Sequence, residues 1–572
     1  MNTVPIKGGF SKEPARSPAG PAALRALALF SILAIAAAAA GCGGRDDSSV
    51  YRRTFESIAG EALELYGEIH PLRSSRLGIT GSDSLLFTFS RSEIDYCGAR
   101  CDSLLERISR LPADHFAARE IEDSAILIDW LRGELFALRK LRVWETNPLL
   151  YCWMAEEALF GIPFRVEAPG PGELRSYERR LGRIPALLEN AALNLRDPPA
   201  IQIEPSLDRI GAIVENAGEL RAALKLRYGT LPPSFDAAVR SVESFGDHLR
   251  GRLASGTQGS YILGTENISD ILLYSEHLDL DLDEFTAEAE KSIRKNMGQI
   301  ASIERSRPPG AGTITNHDIP PLQAMIDSIG RICSSKGLPG SGKDTNLAVM
   351  RRAALPVQRN LPSNPHLSVP AGDSYPVFSI SPSSFAAGPC GTTIIVPPGA
   401  EGADPEEFIH DLLRVSACAS EPERLLCRRD DKLRAVFASR LYALGWNYLL
   451  MKELCQIYPD PSMRQRKKFL EENSRDLAMM VTVFGLHSGR LTVDAAVDYL
   501  ISATGAEREG ASRMVSIAAS SPSVAYPGIA SILIEQAVQE ISGTSGESRP
   551  PARIRELMLE RAALPLTMST VK

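Results

Sequence analysis

The segment "EDSAILIDWLRGELFALRKLRVWE" (residues 122–145) decides the fold class of this chain. Its apolar residues recur at spacings of three and four, at Ile126, Trp130, Leu131, Leu135 and Leu138. That spacing places them on one face of an α-helix, whereas a half-buried strand would alternate apolar and polar residues. The segment therefore predicts an amphipathic helix that packs against a core.

The same helical pattern covers most of the chain. It runs from residue 50 to about residue 306 and resumes at residue 404. Clusters of Pro and Gly, which end helices, lie at residues 168–173, 196–200, 229–234 and 307–313. Two strand-like runs, "YPVFSIS" (375–381) and "TTIIVPP" (392–398), separate the helical stretches. The sequence predicts a mainly α fold with a small β element near residues 375–398.

Composition narrows the classes of partner. The chain has 572 residues, a formal net charge of −7 and a pI of about 5.8. A chain of this length forms roughly two to four compact units or one large helical body. Nucleic-acid-binding domains are typically basic, with a pI above about 9. We therefore expect no nucleic-acid partner.

The N-terminus carries an export pattern. Four basic residues precede an apolar run at residues 26–40, which leads into "AAGC" (39–42). The basic residues are Lys7, Lys12, Arg16 and Arg25. A membrane-spanning helix needs about 20 apolar residues, and this run is shorter. A basic region, a short apolar run and small residues before a Cys are typical of a bacterial lipoprotein signal peptide.

We therefore predict a signal peptide at residues 1–41, lipidation of Cys42 and a flexible tether at residues 42–49. Gly43, in place of Asp after the lipidated Cys, favours the outer membrane in a host that has one. The predicted location is thus an exported lipoprotein anchored at the periplasmic face or in the outer membrane. An uncleaved anchor and a misassigned start codon are the alternatives.

The remaining cysteines give no metal motif. They lie at residues 97, 101, 152, 333, 390, 418, 427 and 455. None of their spacings forms the CxxC pairs of a zinc ribbon. Export permits disulfides, but their pairing cannot be inferred from sequence. We interpret these cysteines as scattered buried residues, of which some form one or two disulfide bridges.

The segment "EEFIHDLLRVSACASEPE" (406–423) begins like the zinc helix of a metallopeptidase. Asp404 can cap this helix and Pro405 suits its first turn, which places His410 and Asp411 in the second turn. The HExxH motif requires a second His four residues after the first. Arg414 occupies that position, so the plain motif is absent.

A second motif, "GLPGSGKD" (337–344), approaches a phosphate-binding loop. Such a loop follows a strand and ends in Ser or Thr, which binds Mg²⁺. Here Asp344 occupies the last position, and the preceding segment has helical periodicity. We therefore predict no nucleotide partner.

Five segments together resemble a bacterial family known as domain of unknown function 885. They are "LGI" (77–79), "WETNPLLY" (144–151), "LGTENISDILLYSEHLDLDLDEF" (263–285), "GLHSGRLTVDAAVDYL" (485–500) and "LMLERAALPL" (557–566). They stand in the family's order and at similar separations over nearly all of the mature chain. The resemblance implies a large helical metallopeptidase-like body. It divides the chain into an N-terminal helical half at residues 50–345 and a C-terminal peptidase-like half at 346–572.

The resemblance also implies a zinc site, from which this chain departs. The family motif is similar to HExxPGHxxQ, followed by EGW and then by DxGxH. His410 matches the first His, and Asp411 replaces the Glu that acts as general base. Ser416 stands where the second His belongs, and Leu444 replaces the third carboxylate. His487 matches the last His of the DxGxH motif.

Val483 replaces the Asp of that motif, so three polar positions of the family hold Ser, Val and Leu. Catalytic zinc needs about three protein ligands, and at the matched ligand positions only His410 is retained. We therefore predict no bound zinc and no other cofactor. Rescue by Cys418 or Cys427 is the alternative. Without zinc, His410 is a partly buried residue on an amphipathic helix, and His487 lines the former cleft.

Two functions from different classes remain open. The favoured hypothesis is a pseudoenzyme: a membrane-anchored protein whose cleft binds a peptide or an envelope protein, or serves as a scaffold. The alternative is an active peptidase or related envelope hydrolase that uses His410, Asp411 and His487 in a non-standard site. The lost zinc ligands favour the first.

Overall fold

The computed structural model describes most of the chain. The described residues are 48–76, 80–161, 171–306, 331, 348–351, 378–380, 393–396, 410, 432–437, 439–458, 463–545 and 550–560. The predicted signal peptide, Cys42, the "GLPGSGKD" segment, Asp411 and Ser416 lie outside them, as do Cys418 and Cys427.

The N-terminal part of the chain is a succession of helices. They are α1 (Ser48–Ile69), α2 (Pro71–Arg76), α3 (Arg91–Ser109), α4 (Ala118–Leu135), α5 (Pro148–Phe160), α6 (Pro171–Leu181), α7 (Ile184–Asn194), α8 (Ala200–Tyr228) and α9 (Phe235–Ser255). Helix α1 begins one residue before the predicted end of the tether at residue 49. A shift of this size is common at helix ends, which fray.

The second part is also helical. Its helices are α10 (Thr265–Glu276), α11 (Leu282–Ser306), α12 (Lys432–Val436), α13 (Arg440–Ile457), α14 (Arg464–His487), α15 (Val493–Thr504), α16 (Arg508–Ser520), α17 (Tyr526–Ser545) and α18 (Pro550–Glu560). The predicted mainly α fold is therefore confirmed.

A small sheet lies between α11 and α12 in the sequence. Its strands are β1 (Ala348–Arg351), β2 (Phe378–Ile380) and β3 (Thr393–Val396), and β3 is central. Strand β1 pairs with it in parallel and β2 pairs with it antiparallel. Strands β2 and β3 fall within the two runs from which the sequence predicted a β element.

The segment that predicted the fold class forms α4 and a wider π-helical turn at Phe136–Leu141. Its predicted apolar face is buried or half-buried against the N-terminal core. Leu131 is fully enclosed there and Leu138 is 5% exposed. The helix ends because Arg142 adopts a left-handed conformation with a φ of 48°.

Two hydrophobic cores organise the molecule. The N-terminal core contains buried residues from Phe55 to Leu249, and the C-terminal core contains buried residues from Ile268 to Met558. Helices α10 and α11 belong to the second core, because the apolar face of α11 packs along α14. The division of the chain at residue 345 stays a prediction.

Polar contacts join the two parts. Arg434, just after the undescribed segment 411–431, places Nε 2.7 Å from Asp123 of α4. The end of α16 is held from the other side: the side-chain amides of Gln202 and Asn147 donate to the carbonyl oxygens of Ala519 and Ser520 at 2.8 and 2.7 Å. The cores are therefore tied at two separate places.

Among the described residues, no single helix has both the length and the apolar content that crossing a bilayer requires. One pair, Arg508–Ser520 with Pro522–Gly543, meets that test of length and composition only when its two members are taken together, and it bends by 115° between them.

Candidate functional site

His410 is fully buried and contacts one helix through both ring nitrogens. Its Nδ1 lies 3.1 Å from Oε1 of Gln465, and its Nε2 lies 2.9 Å from Oε2 of Glu472. These two residues are about two helical turns apart on α14, so they present side chains on the same face. His410 is thereby fixed between the amide and the carboxylate.

This arrangement does not fit the zinc ion that the family resemblance implies. Gln465 and Glu472 lie at opposite nitrogens of the imidazole, so their oxygens do not converge on one ion with a single ring nitrogen. A catalytic zinc site needs about three ligands directed at one point. Among the described residues, no group of three or more His, Cys, Asp or Glu side chains has the geometry of a metal site.

Two of the positions that the resemblance matches to polar residues of the family, Leu444 and Val483, lie among the described residues and contact the hydrophobic interior. Leu444, at the position of the third carboxylate, is half-buried and packs against the C-terminal core. Val483, at the position of the family's Asp, is fully buried on α14. Trp446 is 1% exposed and lies in the same core. These positions therefore contribute apolar packing.

His487 ends α14 and joins two other segments. Its Nδ1 lies 3.0 Å from the carbonyl oxygen of Tyr261, and its Nε2 lies 2.9 Å from that of Ala518. Burial lowers the pKa of His487, although the two carbonyl oxygens oppose this effect. The neutral ring carries one N–H, so it donates to one carbonyl oxygen at a time. Both ring nitrogens of His487 thus face backbone carbonyl oxygens. The sequence predicted that this residue lines the former cleft.

The structure does not bring His410 and His487 together. Glu472, which contacts His410, and His487 are 487 − 472 = 15 residues apart on the same helix. At a rise of 1.5 Å per residue this corresponds to about 22 Å. Proton transfer between the two imidazoles within one site is therefore not supported.

A second polar site lies where the two cores meet. Glu276, the last residue of α10, is 2% exposed. Its carboxylate accepts hydrogen bonds from Ser439 Oγ at 2.6 Å and from the backbone N–H groups of Arg440 and Leu441, each at 3.2 Å. Burial raises the pKa of Glu276, and these hydrogen bonds oppose that rise. A carboxylate from α10 therefore caps the start of α13.

Arg440 follows this cap and has a guanidinium that is shielded from solvent. Its Cζ lies 4.8 Å from the centroid of the Tyr526 ring, at cation–π distance. Its Nε and Nη2 atoms are buried and hydrogen-bond no group among the described residues. Burial lowers the pKa of Arg440, while Tyr526 and Glu276 act in the opposite direction.

Three aromatic rings lie close to one another at the same junction. The Phe437 ring is 5.4 Å from that of Tyr66 and 4.7 Å from that of Trp130. The Tyr66 hydroxyl and the Trp130 Nε1 are also buried without a hydrogen-bond partner among the described residues. We call Tyr66, Trp130 and Phe437 the junction cluster.

The carboxylates beside the cluster are already engaged by histidines. Glu134 Oε1 lies 2.6 Å from Nε2 of His70, whose ring is 5.0 Å from that of Tyr66. Asp129, adjacent to Trp130, pairs with Nδ1 of His277. His277 follows Glu276 in the sequence, so the pairing of Asp129 with His277 ties α4 to the end of α10.

Comparison with known proteins shows the fold. One solved structure, described as a candidate lipoprotein of unknown function from Shewanella oneidensis, is similar with a TM-score of 0.64 at 14% identity. A second, described as a candidate lipoprotein from Colwellia psychrerythraea, has a TM-score of 0.66 at 12% identity. In each case the likeness covers 90% of this chain and 98% of the other. No family model and no curated protein matches the chain.

Four residues of these sites were not predicted from the sequence: Gln465, Glu472, Glu276 and Arg440. The first two lie on a strongly charged stretch of α14, "RQRKKFLEENSRD" (464–476), which resembles any solvated helix surface. Glu276 and Arg440 are 164 positions apart, so no local spacing relates them. The one available signal was the pair of Glu276 and His277 at a helix end.

Proposed function

We propose that the mature protein is a lipid-anchored binding protein of the cell envelope and that it does not hydrolyse peptides through zinc. The basic region, apolar run and Cys42 support the anchor. The likeness to two candidate lipoproteins over 98% of their length also supports it. The metallopeptidase-like ancestry rests on the resemblance of the five segments to domain of unknown function 885.

The arrangement around His410 carries this proposal. A zinc peptidase needs a ligand set that holds the ion, activates water and leaves an open position for substrate. His410 is 0% exposed and both its ring nitrogens already contact side chains of α14. The family position at residue 444 supplies a Leu to the core. These residues stabilise the helical body, which then serves to present a binding surface.

The alternative hypothesis is an envelope hydrolase with a non-standard site. The pair of His410 and Glu472 resembles a base oriented by a carboxylate, which is a recurring arrangement in hydrolases. A general base must lie within hydrogen-bond reach of the group that it deprotonates. In His410 both nitrogens are already engaged, which favours a structural role for the pair.

A hydrolysis assay tests the proposal. The mature protein, His410→Ala and Glu472→Gln are incubated with a mixture of unstructured peptides, with and without added zinc. We expect no zinc-dependent cleavage by any of the three proteins. Cleavage by the wild type that disappears in His410→Ala, while circular dichroism shows both folded, would establish the hydrolase instead.

A further inference from the structure

We propose that the end of the N-terminal core at which α1 begins docks against the phospholipid bilayer that holds the lipid anchor. This inference rests on the proposed lipid anchor and adds the orientation of the protein on the membrane. We call this face the anchor end and define it by Val50, Tyr51, His115 and Ile121. Its partner is the bilayer interface, where phospholipid headgroups meet the acyl chains.

The connection between the anchor and α1 is short. Cys42, the predicted lipidated residue, and Ser48, the first residue of α1, are 48 − 42 = 6 positions apart. A fully extended chain spans at most about 3.6 Å per residue, so the start of α1 stays within about 22 Å of the lipidated residue. The 22 residues of α1 extend over about 33 Å, so its far end is not held in this way.

Helices α1 and α4 both begin at the anchor end. Near their starts, Arg52 Nε of α1 lies 3.1 Å from Oε1 of Glu120 in the first turn of α4. Towards their other ends, the ring of Tyr66 on α1 lies 5.8 Å from that of Trp130 on α4. Contacts at both ends show that the two helices run side by side in the same direction. The face next to the anchor therefore contains the first turns of two helices.

The anchor end exposes apolar and amphipathic side chains. Val50 is 51% exposed on the first turn of α1, and Ile121 is 36% exposed on the first turn of α4. The Tyr51 ring lies 4.9 Å from that of His115, which is exposed just before α4. Tyr is enriched at membrane–water interfaces because its ring is apolar and its hydroxyl polar. These side chains suit the boundary between headgroups and acyl chains.

The anchor end carries charges of both signs. Arg52 Nε lies 3.3 Å from Glu56 and 3.1 Å from Glu120, so two carboxylates share this guanidinium. Arg53 forms no ion pair with the described residues, and Asp114 is an exposed acid on the same face. Clusters of basic residues bind anionic lipids, and this face has no such cluster among its described residues. Docking therefore depends on the lipid anchor and on apolar side chains.

The test measures which face of the anchored protein lies next to lipid. Acylated mature protein is reconstituted into vesicles of phosphatidylcholine and phosphatidylglycerol at about 3:1, with or without bromine atoms on the acyl chains. Bromine quenches the fluorescence of a tryptophan only at close range. Val50→Trp and Ile121→Trp each add one tryptophan to the four of the wild type, which supplies the background. Met297→Trp, at a position 48% exposed on α11 of the C-terminal core, is the matched control.

In Val50→Trp and Ile121→Trp we expect the added tryptophan to be quenched at least about two-fold more strongly than in Met297→Trp, because interfacial side chains enter the bilayer boundary by about 5–10 Å. Quenching should change by less than about two-fold between about 0.05 and 0.5 M NaCl, since salt screens charges and not apolar contacts. Adding Val50→Asp to Ile121→Trp should at least halve the quenching, because a carboxylate resists leaving water. Adding Met297→Asp instead should leave it unchanged.

Equal quenching in the three tryptophan variants would overturn the inference, as would quenching that disappears in high salt or survives Val50→Asp. Sedimentation with the vesicles reports on the anchor separately. Acylated protein that stays in the supernatant contradicts the lipid anchor and the docked face together, whereas sedimented protein with equal quenching contradicts the docked face alone. The thermal midpoint of each variant shows that it is folded.

Discussion

His410 and His487 are both enclosed, yet their partners differ in kind. His410 contacts the side chains of Gln465 and Glu472, whereas His487 contacts two backbone carbonyl oxygens. A carbonyl oxygen accepts but never donates, so His487 can serve both partners only when it is protonated. Burial disfavours that charged form. His487 therefore couples local structure to pH.

The first prediction concerns His487→Gln. Because burial lowers the folded-state pKa below the ordinary value of about 6.5, the unfolded chain takes up the proton first. The stability that His487 contributes is complete above about pH 6.5 and declines as the pH falls below it. We expect the variant to lose about 1–3 kcal/mol at neutral pH and to lose this part of the pH dependence.

Urea unfolding between about pH 5 and pH 8 measures the effect. Burial also lowers the pKa of His248, but that contribution is common to both proteins and cancels in their difference. His115→Gln, at an exposed site, should follow the wild type throughout. A stability difference between wild type and His487→Gln that stays constant with pH would contradict the account.

At the scale of elements, the sequence predicted the helices but does not show which helices share a core. The period of residues 122–145 predicted α4. Helix periodicity reveals which face is apolar but not which core it meets. The sequence therefore does not show that α10 and α11 pack into the same core as α14. The link from Glu276 to α13 depends on folding and has no local signature.

The second prediction concerns Ser439→Ala at the start of α13. Ser439 Oγ accepts from the N–H of Tyr442 at 3.1 Å and donates to Glu276 at 2.6 Å. Loss of an N-cap costs about 0.5–2 kcal/mol, and loss of a donor to a buried carboxylate adds about 1–3 kcal/mol. We expect a total loss of about 2–4 kcal/mol in chemical denaturation.

Thr492→Ala is the matched control for Ser439→Ala. Thr492 caps α15 by accepting from the N–H of Ala495 at 3.2 Å, and it is exposed with no carboxylate to satisfy. Its loss should cost about 1 kcal/mol. Equal costs for the two variants would show that Glu276 does not depend on Ser439.

At the scale of the whole molecule, two helical cores meet around a polar junction. Arg434 reaches Asp123 from one side, and Gln202 and Asn147 hold the end of α16 from another. Trp130 and Phe437 pack against the N-terminal core, while Arg440 contacts Tyr526 of the C-terminal core. None of the contacts made by Arg434, Gln202 and Asn147 could be predicted from sequence, because each joins residues more than 300 positions apart.

The third prediction concerns the membrane anchor. In a bacterial host, wild-type protein should incorporate labelled lipid and sediment with membranes, whereas Cys42→Ala should do neither. Gly43→Asp is the informative companion, because it should keep the lipid and move from the outer to the inner membrane in a host with two. Unchanged lipid labelling of Cys42→Ala would refute the lipoprotein assignment.

The central claim is that this helical body binds without zinc-dependent hydrolysis, and zinc content tests it most directly. The mature protein, His410→Ala and Glu472→Gln are purified with excess zinc, dialysed and subjected to elemental analysis. Because the contacts of His410 do not converge on one ion, we expect all three to carry far less than one zinc per chain. About one zinc per wild-type chain, lost in His410→Ala, would contradict the account.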